Sequence, residues 1–304
     1  MCLYPKYIRN PKYTKNKKNG GNIPKPQDIR VTMVPIGCGE CIECRTQLAN
    51  NWRVRLSVTL SALDIPAYYV TLTFSEEKLQ WYKETCKNEN ECATAATRHF
   101  LERWRKHYKK SLKHWLITEL GHEGTERIHL HGIVWTDKEQ EKIEKIWANG
   151  WVRIGKYVNL QTINYIIKYI TKIDNDHTEF KGKILASPGI GSEYIQYGKI
   201  YNAYKGEETK EYYRTKEGYK LALPMYYRQK IYSDEEREKL WIQKLDKNKR
   251  YILGTKYDFE TKQDKKTWLN ALETAQKKNI RNGYKGQKWK GDKYIEAIKK
   301  LHNQ

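Results

Sequence analysis

His129-Leu130-His131 sets two imidazoles one strand period apart, so that in extended chain both project from one face while Leu130 turns to the other. Two imidazoles so placed can grip one metal ion. In a chain with 8 histidines an H-x-H triplet arises by chance with a probability of roughly one in five, and the pair alone could equally be two histidines on an exposed strand. Glu119 adds weight. It lies in WLITEL (115–120), which the turn-rich link GHEGTE would fold back against RIHLHGIVW (127–135) as a hairpin. A carboxylate there completes a Glu-His-His set, although a surface charge at a strand end is the simpler alternative. Mixed nitrogen and oxygen donors suit Mg²⁺ or Mn²⁺ better than a soft metal. Such an ion would act as a Lewis acid on a scissile phosphate and orient it for attack.

A nucleophile is offered by YIIKYITK at 165–172. At about 100° per residue, Tyr165, Lys168, Tyr169 and Lys172 fall within roughly one third of a helix circumference. Ile163, Ile166, Ile167, Ile170 and Ile173 fill the opposite side. The isoleucines would face a core while two phenols and two ammoniums project together, one turn apart. A phenol with a pKa of about 10 is a poor nucleophile at neutral pH, but a nearby cation or metal favours its phenolate. A surface helix decorated with Tyr and Lys is the alternative. A second Tyr-x₃-Tyr pair, Tyr197 and Tyr201, has Gly198 between its members and flanks that do not look helical.

Cys38, Cys41 and Cys44 form C-x₂-C-x₂-C, and Cys2 could supply a fourth thiolate. Four cysteines suit structural Zn²⁺, yet zinc knuckles usually come as two separated C-x₂-C pairs, so reduced thiols at a helix start stay open as the alternative. Cys86 and Cys92 receive no assignment.

Composition bounds the partner. Lys and Arg number 58 against 36 acids, a formal charge of +22, which fits a polyanion because neutralising phosphates releases counterions. There are 24 Tyr and 10 Trp but 4 Phe, many of them among basic residues (WRKHYKK, YYRQKIY). Bases stack on aromatic faces while cations follow the backbone of a single strand. AT-rich coding would also inflate Lys and Tyr. No stretch approaches the roughly 18–20 apolar residues of a membrane span, and the N-terminus has no apolar secretory core. A reducing cytoplasm, without disulfides, is the expected setting.

The elements that must position these groups read as a helix at 45–63, a strand at 68–74, a helix at 97–113, strands at 115–120 and 127–135, a helix at 137–148 capped by Asp137, a strand at 151–155 and a helix at 159–173. The expected organisation is 1–63 as a basic arm, Cys cluster and helix, 64–235 as the domain carrying the chemistry, and 236–304 as a basic, helical accessory region that could be partly disordered.

Together these segments resemble the HUH endonuclease superfamily, and within it the replication initiators of the Microviridae in their gokushovirus-like branch. The hydrophobic Thr-Leu-Thr strand at 70–74 is similar to that family's first motif, ITELGHEGTERIHLHGIVW to its Glu-then-His-x-His motif, and YIIKYITK to its two-tyrosine motif. LALPMYYRQKIY (221–232) is similar to a further segment, and the likeness runs from about 35 to 235. Leu120 departs from the aromatic usual after the Glu. The resemblance implies an α+β fold, a five-stranded antiparallel sheet flanked by helices, with the His pair central and the tyrosine helix over it. It further implies nicking of single-stranded DNA at a phage origin. One tyrosine would keep the 5′-phosphate and free a 3′-OH for a host polymerase, and the other would cut the regenerated origin so that the circle closes. No G-x₄-G-K-[ST] motif is present, so unwinding would fall to a host helicase in the cytoplasm of a bacterial host. A relaxase or transposase of the same chemistry, and a non-catalytic single-strand-binding or packaging protein, are the competing readings.

Overall fold

The computed structural model describes residues 1–122, 125–155, 157–291 and 296. The chain opens with β1 (Lys6–Arg9), β2 (Met33–Ile36) and α1 (Ile42–Ala62). It continues through β3 (Ala67–Leu72), α2 (Glu76–Lys83), α3 (Glu89–Tyr108), β4 (Lys113–Leu120), β5 (Ile128–Trp135), α4 (Gln140–Trp147), β6 (Val152–Gly155), α5 (Leu160–Thr171) and β7 (Ile184–Ala186). Then follow α6 (Ile195–Tyr201), β8 (Tyr212–Arg214), β9 (Lys220–Ala222), α7 (Met225–Ile231), α8 (Asp234–Asp246), β10 (Lys249–Ile252), β11 (Thr255–Asp258) and α9 (Lys262–Arg281). Two compact units result: Ala49–Gln196, and Met1–Leu48 with Tyr197–Gln304.

The Ala49–Gln196 unit is α+β. Its five strands run in the order β6-β3-β5-β4-β7, every neighbouring pair antiparallel. Alternation splits each central strand between two cores. Val70, Leu72, Leu116, Leu120, Leu130 and Val134 pack on the side of α2, α3 and α4, with Leu79, Phe100, Trp104 and Trp147. Trp115, Ile117, Ile133 and Trp135 face the other way, onto Leu56 of α1 and the isoleucines of α5. Gly132 sits in the middle strand, where a Cβ would come within 2.0 Å of the Trp115 carbonyl, so only glycine fits. Asn159 starts α5 with a capping box closed by Thr162.

In the second unit, β1 pairs with β2, β8 with β9 and β10 with β11, all antiparallel. Leu3, Ile252 and Ala275 form a small core there together with Cys2 and Cys41.

Several expectations need correction. The helix expected at 97–113 begins at Glu89, behind the Asn88 cap, and ends at Tyr108, where Lys109 turns left-handed. Its first buried residues, Cys92, Ala93 and Ala96, are small and give a weak periodic signal. Asp137 caps nothing: α4 starts at Gln140 behind Glu139, with no side-chain cap bond. The segment 195–201 is helical after all, its Gly198 buried rather than breaking the turn, and Tyr197 stacks on Tyr201. The unit boundaries fall at 48/49 and 196/197, not at 63/64 and 235/236. Residues 236–291 carry α8, the β10–β11 pair and α9, folded in the same unit as the first 48 residues. Disorder at 292–295 and 297–304, and the form of the expected turn at 123–124, lie outside the described residues. No helix among the described residues is long and apolar enough to cross a membrane.

Candidate functional site

The face of the sheet that carries Trp115, Ile117, Ile133 and Trp135 changes character along the strands. On β4 the same alternation that buries Trp115 and Ile117 presents Glu119, and on β5 it presents His131 and His129. Antiparallel register puts Glu119 directly opposite His129 and one diagonal step from His131. Glu119 Oε2 lies 2.9 Å from His131 Nε2 and 3.3 Å from His129 Nε2.

What stands behind the histidines decides how they can act. His129 Nδ1 faces the Arg127 carbonyl at 3.2 Å. A carbonyl only accepts, so Nδ1 carries the proton and Nε2 of the neutral ring keeps its lone pair. That lone pair points at a carboxylate oxygen, an arrangement that needs a cation between them. His131 Nδ1 meets the Tyr69 hydroxyl at 2.9 Å and the Thr71 hydroxyl at 3.1 Å. Burial holds the His131 imidazole below its ordinary pKa, against the opposing pull of Glu119. Burial also resists ionisation of Glu119, but hydrogen bonds from His129, His131 and Lys172 outweigh it and keep the carboxylate well below its usual range. A carboxylate and two neutral imidazoles with ligand atoms all within 4.8 Å of one another fit a divalent ion bound by nitrogen and oxygen.

The isoleucine stripe of α5 fixes what lies above. Ile163, Ile166, Ile167 and Ile170 are buried, so Tyr165 and Tyr169 turn toward the site. Tyr169 stacks on His131 with ring centroids 4.6 Å apart and planes 7° from parallel. Tyr165 is 46% exposed, and its hydroxyl lies 3.0 Å from that of Tyr169. The two lysines of this face do different things. Lys168 Nζ sits over the Tyr165 ring, 3.8 Å from its centroid, whereas Lys172 Nζ donates to Glu119 Oε1. Neither of these contacts is to a phenol oxygen. Burial, the Tyr165 hydroxyl and the Glu119 charge raise the pKa of Tyr169. The expectation that neighbouring cations favour its phenolate thus finds no support in this arrangement, because the carboxylate and burial outweigh the lysines.

Sequence reasoning missed the hydroxyls behind His131. The available signal was alternation: Tyr69 and Thr71 share a face of β3, and Thr71 pairs with His131. It also missed His122, Asp174 and His177, whose ligand atoms form a further set within 4.8 Å. His177 Nδ1 lies 3.1 Å from Asp174 Oδ2, and Lys172 Nζ lies 3.4 Å from His122 Nε2. The Asp-x₂-His spacing just beyond α5 was its only trace. In the other unit the Sγ atoms of Cys2, Cys38, Cys41 and Cys44 also gather within 4.8 Å. All six cysteines are free thiols.

Residues 67–174 match the family of replication-associated proteins of the ORF2 type. That segment contains Glu119, both histidines, both tyrosines and both lysines, and it leaves out Cys2, Cys38, Cys41 and Cys44. No solved structure matches the chain. The replication-associated protein ORF2 of Spiroplasma virus 4 is 24% identical over 196 residues, covering 54% of this chain and 58% of that relative, so the match spans less than two thirds of the relative's own length.

Proposed function

We propose that this chain is a rolling-circle replication initiator of the HUH type, which nicks single-stranded DNA at a phage origin through a tyrosine and later rejoins it. One observation carries the reading: a Glu-His-His set lies directly under a helix whose Tyr169 ring stacks on His131. The likeness to a viral replication-associated protein supports it.

Glu119, His129 and His131 would hold a divalent ion, Mg²⁺ or Mn²⁺, which when bound polarises the scissile phosphate. The protein's own groups do the rest. Arg127 O and the hydroxyls of Tyr69 and Thr71 hold the two imidazoles in place. Lys168 and Lys172 bring positive charge to the phosphate path, Lys172 exchanging Glu119 for a phosphate oxygen. The phenol oxygen of Tyr169 or Tyr165 bonds to phosphorus, the bond to the 3′ oxygen breaks, and that oxygen departs as a 3′-OH after taking a proton. The phenol proton can pass across the 3.0 Å between the two hydroxyls. The other tyrosine then stands one helical turn away for a second cut, and the freed 3′-OH closes the circle by attacking the first adduct. Host helicase and polymerase would complete replication in the cytoplasm of a bacterial host.

Incubating the protein with a random pool of single-stranded DNA and Mn²⁺, denaturing, and sequencing what stays attached to protein tests this even with the origin sequence unspecified. A metal-dependent adduct that is lost in the Tyr165→Phe/Tyr169→Phe double variant is the expected result. Retention of DNA by the native protein with no adduct after denaturation would select the non-catalytic binding protein instead.

A further inference from the structure

The C-x₂-C-x₂-C segment plays no part in the proposed chemistry, yet it is built with care. Pairing of Lys6 with Ile36 in the β1–β2 ladder carries the chain ahead of β1 alongside the chain beyond β2, which brings Cys2 against Cys38. Cys41 and Cys44 are three residues apart at the start of α1 and share a helix face. The resulting Sγ separations are 3.6 Å for Cys2–Cys38, 3.9 Å for Cys38–Cys44 and 3.9 Å for Cys2–Cys41. Sulfurs at about 2.3 Å from one zinc ion in a tetrahedron stand about 3.8 Å apart. The cluster has the edge length of a tetrahedral thiolate site.

Backbone amides point at these sulfurs, as thiolates require. The amides of Tyr4 and Cys38 lie 3.3 Å from Cys2 Sγ, and those of Glu40 and Cys41 lie 3.4 and 3.3 Å from Cys38 Sγ. Gly39 takes a positive φ of 75° in the turn between Cys38 and Cys41, which lets the amides face the sulfur. Gly286, at φ 120°, lies so close that a Cβ there would come within 2.8 Å of Cys38 Sγ. Ile252 and Ala275 share the surrounding core, and a cavity of 610 Å³ bordered by Cys2 and Cys44 offers an ion a path in.

We infer that Cys2, Cys38, Cys41 and Cys44 bind one structural Zn²⁺ ion, which ties the N-terminal residues, the start of α1 and the 286 turn into one folded unit. All four positions are filled by protein, so the site is closed to substrate and serves stability rather than catalysis. The inference stands whether or not the chain nicks DNA.

Metal analysis of the full chain, after gel filtration, tests it alongside two variants. Wild type and a His129→Ala/His131→Ala variant should each retain one zinc per chain, and a Cys41→Ser/Cys44→Ser variant should retain none. Because the cysteine variant could lose zinc merely by misfolding, the wild-type chain is also loaded with Co²⁺. Its visible spectrum should show tetrahedral ligand-field bands and the sulfur-to-cobalt charge transfer of four thiolates, and Cys2→Ser should lose part of that charge transfer. Zinc kept by the cysteine variant, a cobalt spectrum with nitrogen or oxygen ligands, an unchanged charge transfer in Cys2→Ser, or bound iron in place of zinc would each overturn it.

Discussion

Two clusters in this molecule gather metal-binding side chains, and they do it by opposite means. Glu119, His129 and His131 stand on two adjacent strands of one hairpin, placed by strand alternation and register. Cys2, Cys38, Cys41 and Cys44 come from the N-terminus, a turn and a helix start, held by backbone amides. The first set has oxygen and imidazole donors, beside an exposed tyrosine. The second has soft donors only and shares its core with apolar side chains. Hard, open donors beside a nucleophile suit turnover, and soft, closed donors suit permanence.

The comparison breaks most sharply by exchange of defects. Replacing Glu119, His129 and His131 with Ala should lower Mn²⁺-dependent adduct formation by about a thousandfold or more while zinc content is unchanged. If zinc falls in parallel, the two clusters are not independent sites. Next in size is the sheet itself. Gly132→Ala forces a methyl against the Trp115 carbonyl and should cost roughly 3 kcal/mol, read from urea unfolding of the Ala49–Gln196 unit. An unchanged midpoint would mean that β4 and β5 separate more easily than their register suggests.

A finer test concerns the groups behind the imidazoles. Tyr69→Phe with Thr71→Val removes both hydroxyls facing His131 Nδ1 and should weaken Mn²⁺ binding by about tenfold or more, measured by calorimetry, with zinc untouched. The smallest effect is that of pH on the metal-free protein. His131 and Glu119 both have pKa values below their ordinary 6.5 and 4.5. Each therefore binds protons less readily folded than unfolded, and its contribution to stability is complete above the ordinary value and lost as pH falls below it. Unfolding midpoints should decline below pH 6.5 and more steeply below 4.5, and His131→Gln should flatten the first part of that decline.

The sequence shows unequal amounts of these two places. The adjacency of Glu119 to the histidines is readable because a hairpin of two alternating strands leaves one register that buries Trp115, Ile117 and Ile133 together. The tyrosine face of α5 is readable because five isoleucines fix its opposite side. By contrast, β7 is three residues long and carries too little pattern to be seen. The roles of Tyr69 and Thr71 depend on a strand 60 residues away in sequence pairing with His131. The environment of Tyr169 also escaped, since helix geometry shows which residues share a face but not that Lys172 reaches across to Glu119. Cys2 could be nominated from the sequence, but only the β1–β2 ladder explains how it reaches Cys38.

Glu119 and His129 face one another across a two-residue repeat, and this makes the hairpin a kind of reading frame. Residues added or removed in the connection beyond Leu120 change where the chain turns and leave the pairing as it is. A single residue deleted between Trp115 and Glu119 has another outcome: either the tryptophan or the carboxylate must cross to the far side of the sheet. Variation in length should therefore be tolerated at the tip of the hairpin and forbidden along its rails, and a saturation library of single-codon deletions would show that boundary as an abrupt edge at Leu120.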